Sequence, residues 1–589
     1  MGGAAFASVV LVASASLSGV AHFTGFRMAS SLGRDEADAI PAAPSGFVGT
    51  YDAHSIVGVR SLFPRDSQVM SLAWDPSLDE WSLVCFNSDT DISKRNRTVG
   101  VAHDIASLLR EYHPLRFSKG QPPFQILVHS DDSPGISCLK RGECPPELFA
   151  APVLNVGTEI RDKNVMPNLV DLSMTPLLEC MAYRHYGEPD CPLFQNLTEA
   201  SEAECVNAGS NYCPMHFRPD LGWDDLEDRL IWRGSNLRMA SEIPGGMSRA
   251  QSIGELFTAI RELEEEGGQE RVTALRLLQK VLESRRAGRR ITPRLKATLM
   301  SAAAREVQAR EADLAAEVGD AETLETPLAE TQAAETPAAE TPSTSDATSL
   351  SAAESRLAEL AASLRSFDFD ALFTPRMSDT WDCRELFDSL SKHGVDIFTP
   401  ERLDAVELSR FRYHIDLGGA GGTTWSGMFA KLAMPGLLFH HETVTTDFFV
   451  ANELKPWWHY VPVEQDLSDL PEKLEWARKH PVEAKQIARQ GSEFMKSLRD
   501  DPLVTEALLE TYVRDRTIDV VNQYVHPTGP DGKWMTIREA FYAAGVTPDQ
   551  LELIPIVENL GRRERVAADF AKAVDESGGS DDLTRKVFL

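Results

Sequence analysis

The sequence predicts an α/β protein with two domains, and three observations lead to this prediction. Between about residues 75 and 250, short apolar runs such as 124–129 and 229–232 alternate with turn residues and helical patterns. The same alternation returns after residue 356. Between them, residues 320–351 repeat Ala-Glu-Thr-Pro units, a composition that cannot bury a core. We therefore predict a disordered low-complexity insertion over 305–355 between two α/β domains.

Composition limits the function classes. The chain has 589 residues, 42% of them apolar, with 89 acidic and 59 basic side chains and a formal charge of −30. Such a chain is globular, and its acidity argues against general nucleic-acid binding, since phosphate contacts need an excess of Lys and Arg. A local cationic pocket for a small phosphorylated ligand remains compatible with this balance.

The N-terminus and the cysteines indicate the secretory pathway. Residues 1–26 are apolar, with no Lys or Arg before Arg27, and predict a signal peptide or a signal anchor, followed by a stem over 27–74. Seven of the eight cysteines fall between Cys85 and Cys213 without zinc-finger spacing, which favours disulfides. We expect a Golgi or ER lumenal protein or, if the leader is an anchor, a single-pass type II membrane protein of these compartments.

The coarse secondary structure follows from apolar periodicity. Residues 75–250 form the predicted N-terminal domain, 251–304 a helical segment, 356–530 the C-terminal domain and 531–589 a helical tail. Within the C-terminal domain, a strand at 412–416, a helix at 425–434 and a strand at 435–440 predict a βαβ unit. A strand at 459–463 and helices at 469–479, with Ser468 as N-cap, and 482–498 complete the prediction.

Three segments place chemically useful residues at strand ends. The Gly loop 418–427 lies between a strand and a helix, which suits an anion site or a plain flexible turn. Asp131 and Asp132 follow the 124–129 strand and could supply a general base or form an Asp-rich turn. Trp232-Arg233-Gly234-Ser235 ends another strand, where the arginine could reach a diphosphate while the tryptophan packs in the core.

Metal-binding patterns are weak. His440 and His441 precede Glu442, but adjacent strand residues point to opposite faces, so the two imidazoles cannot easily share one ion. Asp89-Thr-Asp91 and Asp368-Phe-Asp370 match the short Asp-x-Asp pattern of manganese-dependent sugar transferases, which is frequent by chance in an acidic chain. We predict no metal site and keep a manganese-dependent transferase as an alternative.

Several motifs in a fixed order resemble a known family. They are WRGS at 232–235, GGTTWSG at 421–427 with KLAMPGLLFHHE after it, and PWWHYVPVEQDLSDL from residue 456, followed by an Ala-x-x-Ile-Ala-x-x-Gly helix. Together they resemble glycosyltransferase family 90, the capsule-associated xylosyltransferases and protein O-glucosyltransferases. The resemblance covers about residues 75 to 515.

The resemblance implies a GT-B-like fold with two Rossmann-like domains facing a cleft, and inverting sugar transfer without a metal or other cofactor. It implies that Asp132, which matches the family's Asp-x-Pro, is the catalytic base. The expected partners are UDP-xylose or UDP-glucose as donor and a glycan or glycoprotein as acceptor, with no nucleic acid. The matching donor-binding positions are Arg233, Gly234, Ser235, Arg238, Gly421, Gly422, Thr423, Thr424, Trp425, Ser426, Gly427 and Glu442.

Two departures from the family pattern bear on activity. The family commonly has an arginine where this chain has Met428, and Asn236 follows WRGS where another arginine is usual. Arg238, Lys431 or the basic segment 285–296 could supply the missing charge. If none does, the expected alternative is a non-catalytic relative that binds UDP-sugars or glycans.

Overall fold

A computed structural model of the protein describes part of the chain, and the structural statements below concern those residues. They are 49–62, 69–86, 96–129, 150–155, 159–160, 169–171, 221–235, 249–268, 272–286, 292–321, 344–374, 381–400, 403, 405–418, 426–443, 445–446, 452–500, 508 and 510–556.

The first sheet is mixed rather than purely parallel. Its six strands run in the order β13-β2-β1-β3-β4-β6. Strands β13, β2, β1 and β3 pair antiparallel in succession, whereas β3, β4 and β6 pair parallel. The strands are β1 Val69–Asp75, β2 Glu80–Phe86, β3 Phe124–His129, β4 Val153–Asn155, β6 Leu169–Asp171 and β13 Leu551–Ile556. The antiparallel half differs from the Rossmann-like sheet predicted for this part of the chain.

The second sheet is entirely parallel and has the order β12-β10-β9-β7-β8. Its strands are β7 Glu227–Ser235, β8 Phe369–Thr374, β9 Phe411–Asp416, β10 Leu437–His441 and β12 Val461–Val463. From β7 the chain places β8 on one side, then returns to place β9 on the other. This is the doubly wound 2-1-3-4-5 order, and the connections change direction between β7 and β9.

Thirteen α-helices are delimited in the described part of the chain, besides two single-turn 3-10 helices at Trp223–Asp225 and Pro548–Gln550. They are α1 Ala53–Leu62, α2 Asn96–Tyr112, α3 Arg249–Gly267, α4 Ala274–Arg286, α5 Pro293–Ala321, α6 Thr344–Leu364, α7 Trp381–Ser391, α8 Ala405–Leu408, α9 Ser426–Ala433, α10 Leu470–Lys479, α11 Pro481–Asp500, α12 Arg516–Gln523 and α13 Ile537–Ala543. A π-helical turn, Glu510–Asp515, precedes α12. A short antiparallel pair, β5 Glu159–Ile160 with β11 Thr445–Thr446, joins the connection between β4 and β6 to the connection between β10 and β12.

The predicted βαβ unit is confirmed as β9, α9 and β10, with β10 parallel to β9. Helices α10 and α11 confirm the two predicted at 469–479 and 482–498. Helix α10 begins at Leu470 after Asp469, not after Ser468, because the Asp469 carboxylate accepts a bond from the Glu464 amide (3.0 Å) and holds the preceding turn.

Three other predictions differ from the structure. Residues 305–321 continue α5 and 344–355 belong to α6, so disorder is wrong for these parts of the insertion, while 322–343 lie outside the described residues. Helix α5 forms because it buries an Ala-rich face, including Ala303 and Val307, in the hydrophobic core around the second sheet. The tail is not wholly helical, since β13 adds an edge strand to the first sheet. Strand β7, expected in the N-terminal domain, lies in the second sheet.

The targeting features fall largely outside the described residues. None of the helices described combines the length and the apolar character that crossing a bilayer requires. The leader 1–26 is outside the described range, as are six of the eight cysteines. Cys85 is buried on β2, and Cys383 lies in α7.

Candidate functional site

The direction change between β7 and β9 marks the expected ligand position. In open parallel sheets, ligands bind beyond the carboxyl ends of the strands where the connections reverse. Here those ends are Gly234-Ser235 on β7 and Asp416 on β9. We call the surface formed by Gly234, Asp416, Arg294 and Lys431 the switch-point edge, since α5 and α9 bring the two cationic residues there.

The end of β7 is shaped by a tryptophan folded over a glycine. A Cβ atom on Gly234 would lie 2.3 Å from Cζ2 of the Trp232 indole, which excludes any larger residue without movement of that ring. The Arg294 guanidinium lies 5.8 Å from the centre of the Trp232 ring, within cation–π distance. Trp and Gly therefore form one packing unit that supports Arg294.

Arg233, between them, points to the neighbouring strand. Its guanidinium pairs with the Asp370 carboxylate at 2.7 Å and donates to the Asp370 carbonyl at 2.9 Å. Asp368 pairs with Arg229 at 3.3 Å. Both carboxylates of the Asp368-Phe-Asp370 pattern thus hold arginines, and Asp368 immediately precedes β8, at the amino end of the sheet. Asp89 and Asp91 are outside the described residues.

Asp416 is the centre of a buried charge cluster. It is 6% exposed, and its carboxylate lies 3.6 Å from the Lys431 ammonium and 3.7 Å from Nδ1 of His440. Burial lowers the pKa of Lys431, an effect that Asp416 opposes and Arg294 reinforces. Burial also lowers the pKa of Arg294 to about 10, with Asp416 opposing it. Arg294 therefore stays cationic at neutral pH, and both basic side chains interact with the one Asp416 carboxylate.

The N-terminal turn of α5 lies across the carboxyl ends of two strands. Arg294 donates from Nε and Nη2 to the Leu417 carbonyl beyond β9, at 3.2 and 3.1 Å. The Lys296 ammonium donates to the Asp466 carbonyl beyond β12. Basic residues at a helix N-terminus oppose the helix dipole, whose positive end is already there. The arrangement therefore concentrates positive potential at the switch-point edge.

The His440-His441-Glu442 segment is held in place by hydrogen bonds to backbone groups of neighbouring segments. His441 accepts from the Gly418 amide through Nδ1 (3.2 Å) and donates through Nε2 to the Gln465 carbonyl (2.8 Å). Burial lowers the His441 pKa to about 4, which keeps the ring neutral and preserves both bonds. Glu442 donates its amide to the Val463 carbonyl at 2.8 Å. The described residues contain no cluster of three potential metal ligands.

Met428 is buried. It is 0% exposed and contributes to the core under the first sheet, along with Phe429 and Leu432 of the same helix. Lys431, one turn later, folds back so that its ammonium lies 4.0 Å from where a Cβ on Gly427 would stand. The cation of α9 therefore reaches the first turn of the helix from position 431 instead of 428.

The predicted site residues divide into two groups. Gly234 and Ser235 end β7, Ser426 and Gly427 begin α9, and Glu442 follows β10, all at the carboxyl side of the second sheet. Asp131, Asp132, Arg238, Gly421, Gly422, Thr423, Thr424 and Trp425 lie outside the described residues. Sequence reasoning missed Asp416 as a site residue, although its place at a strand end directly before the Gly loop was a usable signal.

Comparison with known proteins gives a family match to part of the chain. Residues 386–521 match the family described as glycosyl transferase family 90, which is less than a quarter of the chain and includes β9, α9, β10 and β12. Strand β7 and Asp132 lie outside this match.

Among the similar proteins are three protein O-glucosyltransferases. The chain is 33% identical to protein O-glucosyltransferase 2 of Danio rerio over 108 residues, covering 18% of this chain and 21% of that protein. It is 48% identical to protein O-glucosyltransferase 3 of Rattus norvegicus over 97 residues, covering 16% and 18%. For protein O-glucosyltransferase 1 of Homo sapiens the identity is 30% over 122 residues, covering 20% and 30%. The similarity thus spans less than a third of each relative.

Proposed function

Because residues 386–521 form a glycosyl transferase family 90 domain, we propose that the protein transfers glucose or xylose from a UDP-sugar to a hydroxyl of a glycan or glycoprotein. The proposal includes inversion at the anomeric carbon and independence from metal ions. The observation that carries it is the cationic cluster of Arg294 and Lys431 around Asp416, at the point where a parallel sheet binds ligands.

The cluster suits a diphosphate leaving group. When the bond between the anomeric carbon and the phosphate oxygen breaks, negative charge develops on the diphosphate and must be stabilised. Lys431, Arg294 and the N-terminal turns of α5 and α9 provide fixed positive charge at the switch-point edge. This charge would take the role that a divalent metal has in other transferases, and it compensates for Met428.

The acceptor needs a base on the opposite side of the sugar. We assign this role to Asp132, which would remove the hydroxyl proton as the acceptor oxygen attacks the anomeric carbon. Arg238 and residues 421–425 remain proposed donor contacts, and the secretory pathway remains the proposed location. Arg233 is a weaker donor candidate, because Asp370 already holds its guanidinium.

The reaction class is tested by UDP release from UDP-glucose and UDP-xylose with EDTA present, using wild type and Asp132→Asn. We expect wild type to turn over one donor and the variant to lose at least about a hundredfold in rate, as removal of a general base does. Equal rates would reject Asp132 as the base. Loss of turnover in EDTA would support the manganese-dependent alternative, and UDP binding without turnover would support a non-catalytic relative.

Lys431→Met is expected to weaken UDP binding about 10- to 100-fold, since a charge-assisted bond contributes about 1.5–3 kcal/mol. Lys431→Arg should restore most of the affinity. Calorimetric titration with UDP and with uridine separates charge from folding effects, because uridine binding should not change. Lys479→Met removes a lysine that is 66% exposed and is the matched control. An equal loss for UDP and uridine would contradict the role of Lys431.

A further inference from the structure

A second surface, at the opposite end of the second sheet, carries exposed aromatic side chains. Trp457 and Trp458 are 45% and 47% exposed, and Lys455 and Pro456 before them are also exposed. These residues precede β12, which is parallel to β10, so they lie toward the amino end of the sheet. We call Lys455–Trp458 and the facing residues Lys473 and Trp476 the tryptophan surface.

The turn that carries the two indoles is rigid and strained. Trp457 has φ of +62°, a left-handed conformation that bulky residues rarely adopt and that costs about 1–3 kcal/mol. The amide of Trp457 donates to the Tyr460 carbonyl at 2.7 Å, and that of Lys455 donates to Nδ1 of His459 at 3.0 Å. Burial lowers the His459 pKa to about 4, so this imidazole remains an acceptor at neutral pH.

Helix packing fixes the turn from below. His459 contacts Phe494 with ring centres 5.1 Å apart, and a Cβ on Gly491 would lie 2.7 Å from the His459 carbonyl oxygen. Helix α11 therefore approaches the turn as closely as a glycine allows. The contacts explain how a strained backbone persists, and their result is a fixed turn that carries two solvent-facing indoles.

The surroundings of the indoles are aromatic and polar. Trp476 meets Trp457 edge-to-face at 4.9 Å, and the Lys473 ammonium lies 5.6 Å from the Trp457 ring centre. Lys455, two residues before Trp457, is exposed beside the indoles. Flat apolar faces beside an exposed ammonium group match a pyranose ring, which has a C–H face and a rim of hydroxyls.

From this geometry we infer that the tryptophan surface binds carbohydrate, as an accessory site separate from the switch-point edge. The occupant is a glycan chain whose pyranose rings stack on Trp457 and Trp458. A patch of six residues is far smaller than a stable protein interface, which has about 20–30 residues a side. A net charge of −30 opposes adsorption to an anionic membrane. Carbohydrate is the ligand class that the patch fits.

The test is calorimetric titration of the full chain with maltohexaose, xylohexaose and mannohexaose, both without UDP and with saturating UDP to occupy the switch-point edge. We expect at least one hexasaccharide to bind wild type, and Trp458→Ala to bind it about tenfold more weakly. Trp534→Ala is the matched control, because Trp534 is 48% exposed on a different loop. Unchanged thermal unfolding of both variants confirms that they fold.

Three results would overturn the inference: no binding of any hexasaccharide, an equal loss in both variants, or competition by UDP. The readout is binding, so it does not depend on transferase turnover. An inactive protein that still binds hexasaccharide through Trp458 would remove the proposed function and leave this surface intact. An active protein that binds no hexasaccharide would support the proposed function and reject the carbohydrate site.

Discussion

Met428→Arg is expected to lower the free energy of unfolding by about 3 kcal/mol or more, and not to restore a donor contact. The family pattern makes this substitution attractive, since an arginine is common at the position. In this chain, however, the Met428 side chain is fully buried among apolar residues of the hydrophobic core that includes the first sheet. An unpaired guanidinium there loses its hydration without gaining a partner. The resulting loss of folding free energy exceeds that of a typical substitution.

Urea denaturation at neutral pH measures this effect, with Met428→Leu as the control. The leucine conserves volume and polarity and should cost less than about 1.5 kcal/mol. An arginine variant as stable as wild type that binds UDP more tightly would show that position 428 can face the switch-point edge. In that case Lys431 would not be a substitute for the family's arginine.

Sequence reasoning succeeded best where periodicity is strong and contacts are local. The unit β9, α9 and β10 spans 31 residues with a short connection on each side, so its apolar pattern was sufficient. Helices α10 and α11 each bury a periodic apolar face, including Leu470, Leu474 and Ala477 in the first of them. The Gly loop was correctly placed at a strand-to-helix junction, although residues 419–425 lie outside the described part.

The site's charges could not be predicted in the same way, because they meet across long sequence separations. Arg294 reaches Leu417, 123 residues later, and this contact depends on how α5 lies on the sheet. Arg233 was predicted to face a ligand, but the parallel register of β7 with β8 sets Asp370 beside it. The departures from the family pattern suggested Arg238, Lys431 or the segment 285–296 as sources of charge, without showing that Arg294 and Lys431 both lie near Asp416.

The first sheet was mispredicted for a related reason. Strand β13 comes from residues 551–556 and pairs with β2 antiparallel, a contact about 470 residues apart that no local pattern encodes. The Ala-Glu-Thr-Pro composition also masked helices at both ends of the insertion. Alanine and glutamate favour helices, and a buried face on α5 stabilises the part where Ala302, Ala303 and Val307 pack.

Gly234→Ala is expected to destabilise the protein by about 1–3 kcal/mol and to weaken UDP binding as well. The added methyl would stand 2.3 Å from one indole carbon of Trp232 and 2.9 Å from two others. Trp232 cannot rotate away freely, because Phe373 contacts it edge-to-face at 5.7 Å and Arg294 lies over its ring. Displacing the indole moves the support of Arg294, so stability and the switch-point edge change together.

A double-mutant cycle with Trp232→Leu tests this cause directly. If the indole is the obstacle, Gly234→Ala should cost about 1 kcal/mol less in the Trp232→Leu background, and additive losses would instead indicate backbone strain. Gly254→Ala is the matched control, since a Cβ at Gly254 in α3 would meet no atom within 4 Å. That substitution should stabilise the helix by about 0.5–1 kcal/mol and leave UDP affinity unchanged. A large loss of stability for Gly234→Ala beside a small gain for Gly254→Ala would show that Gly234 makes room for the Trp232 indole. Through that indole, Gly234 also keeps Arg294 in place at the strand end.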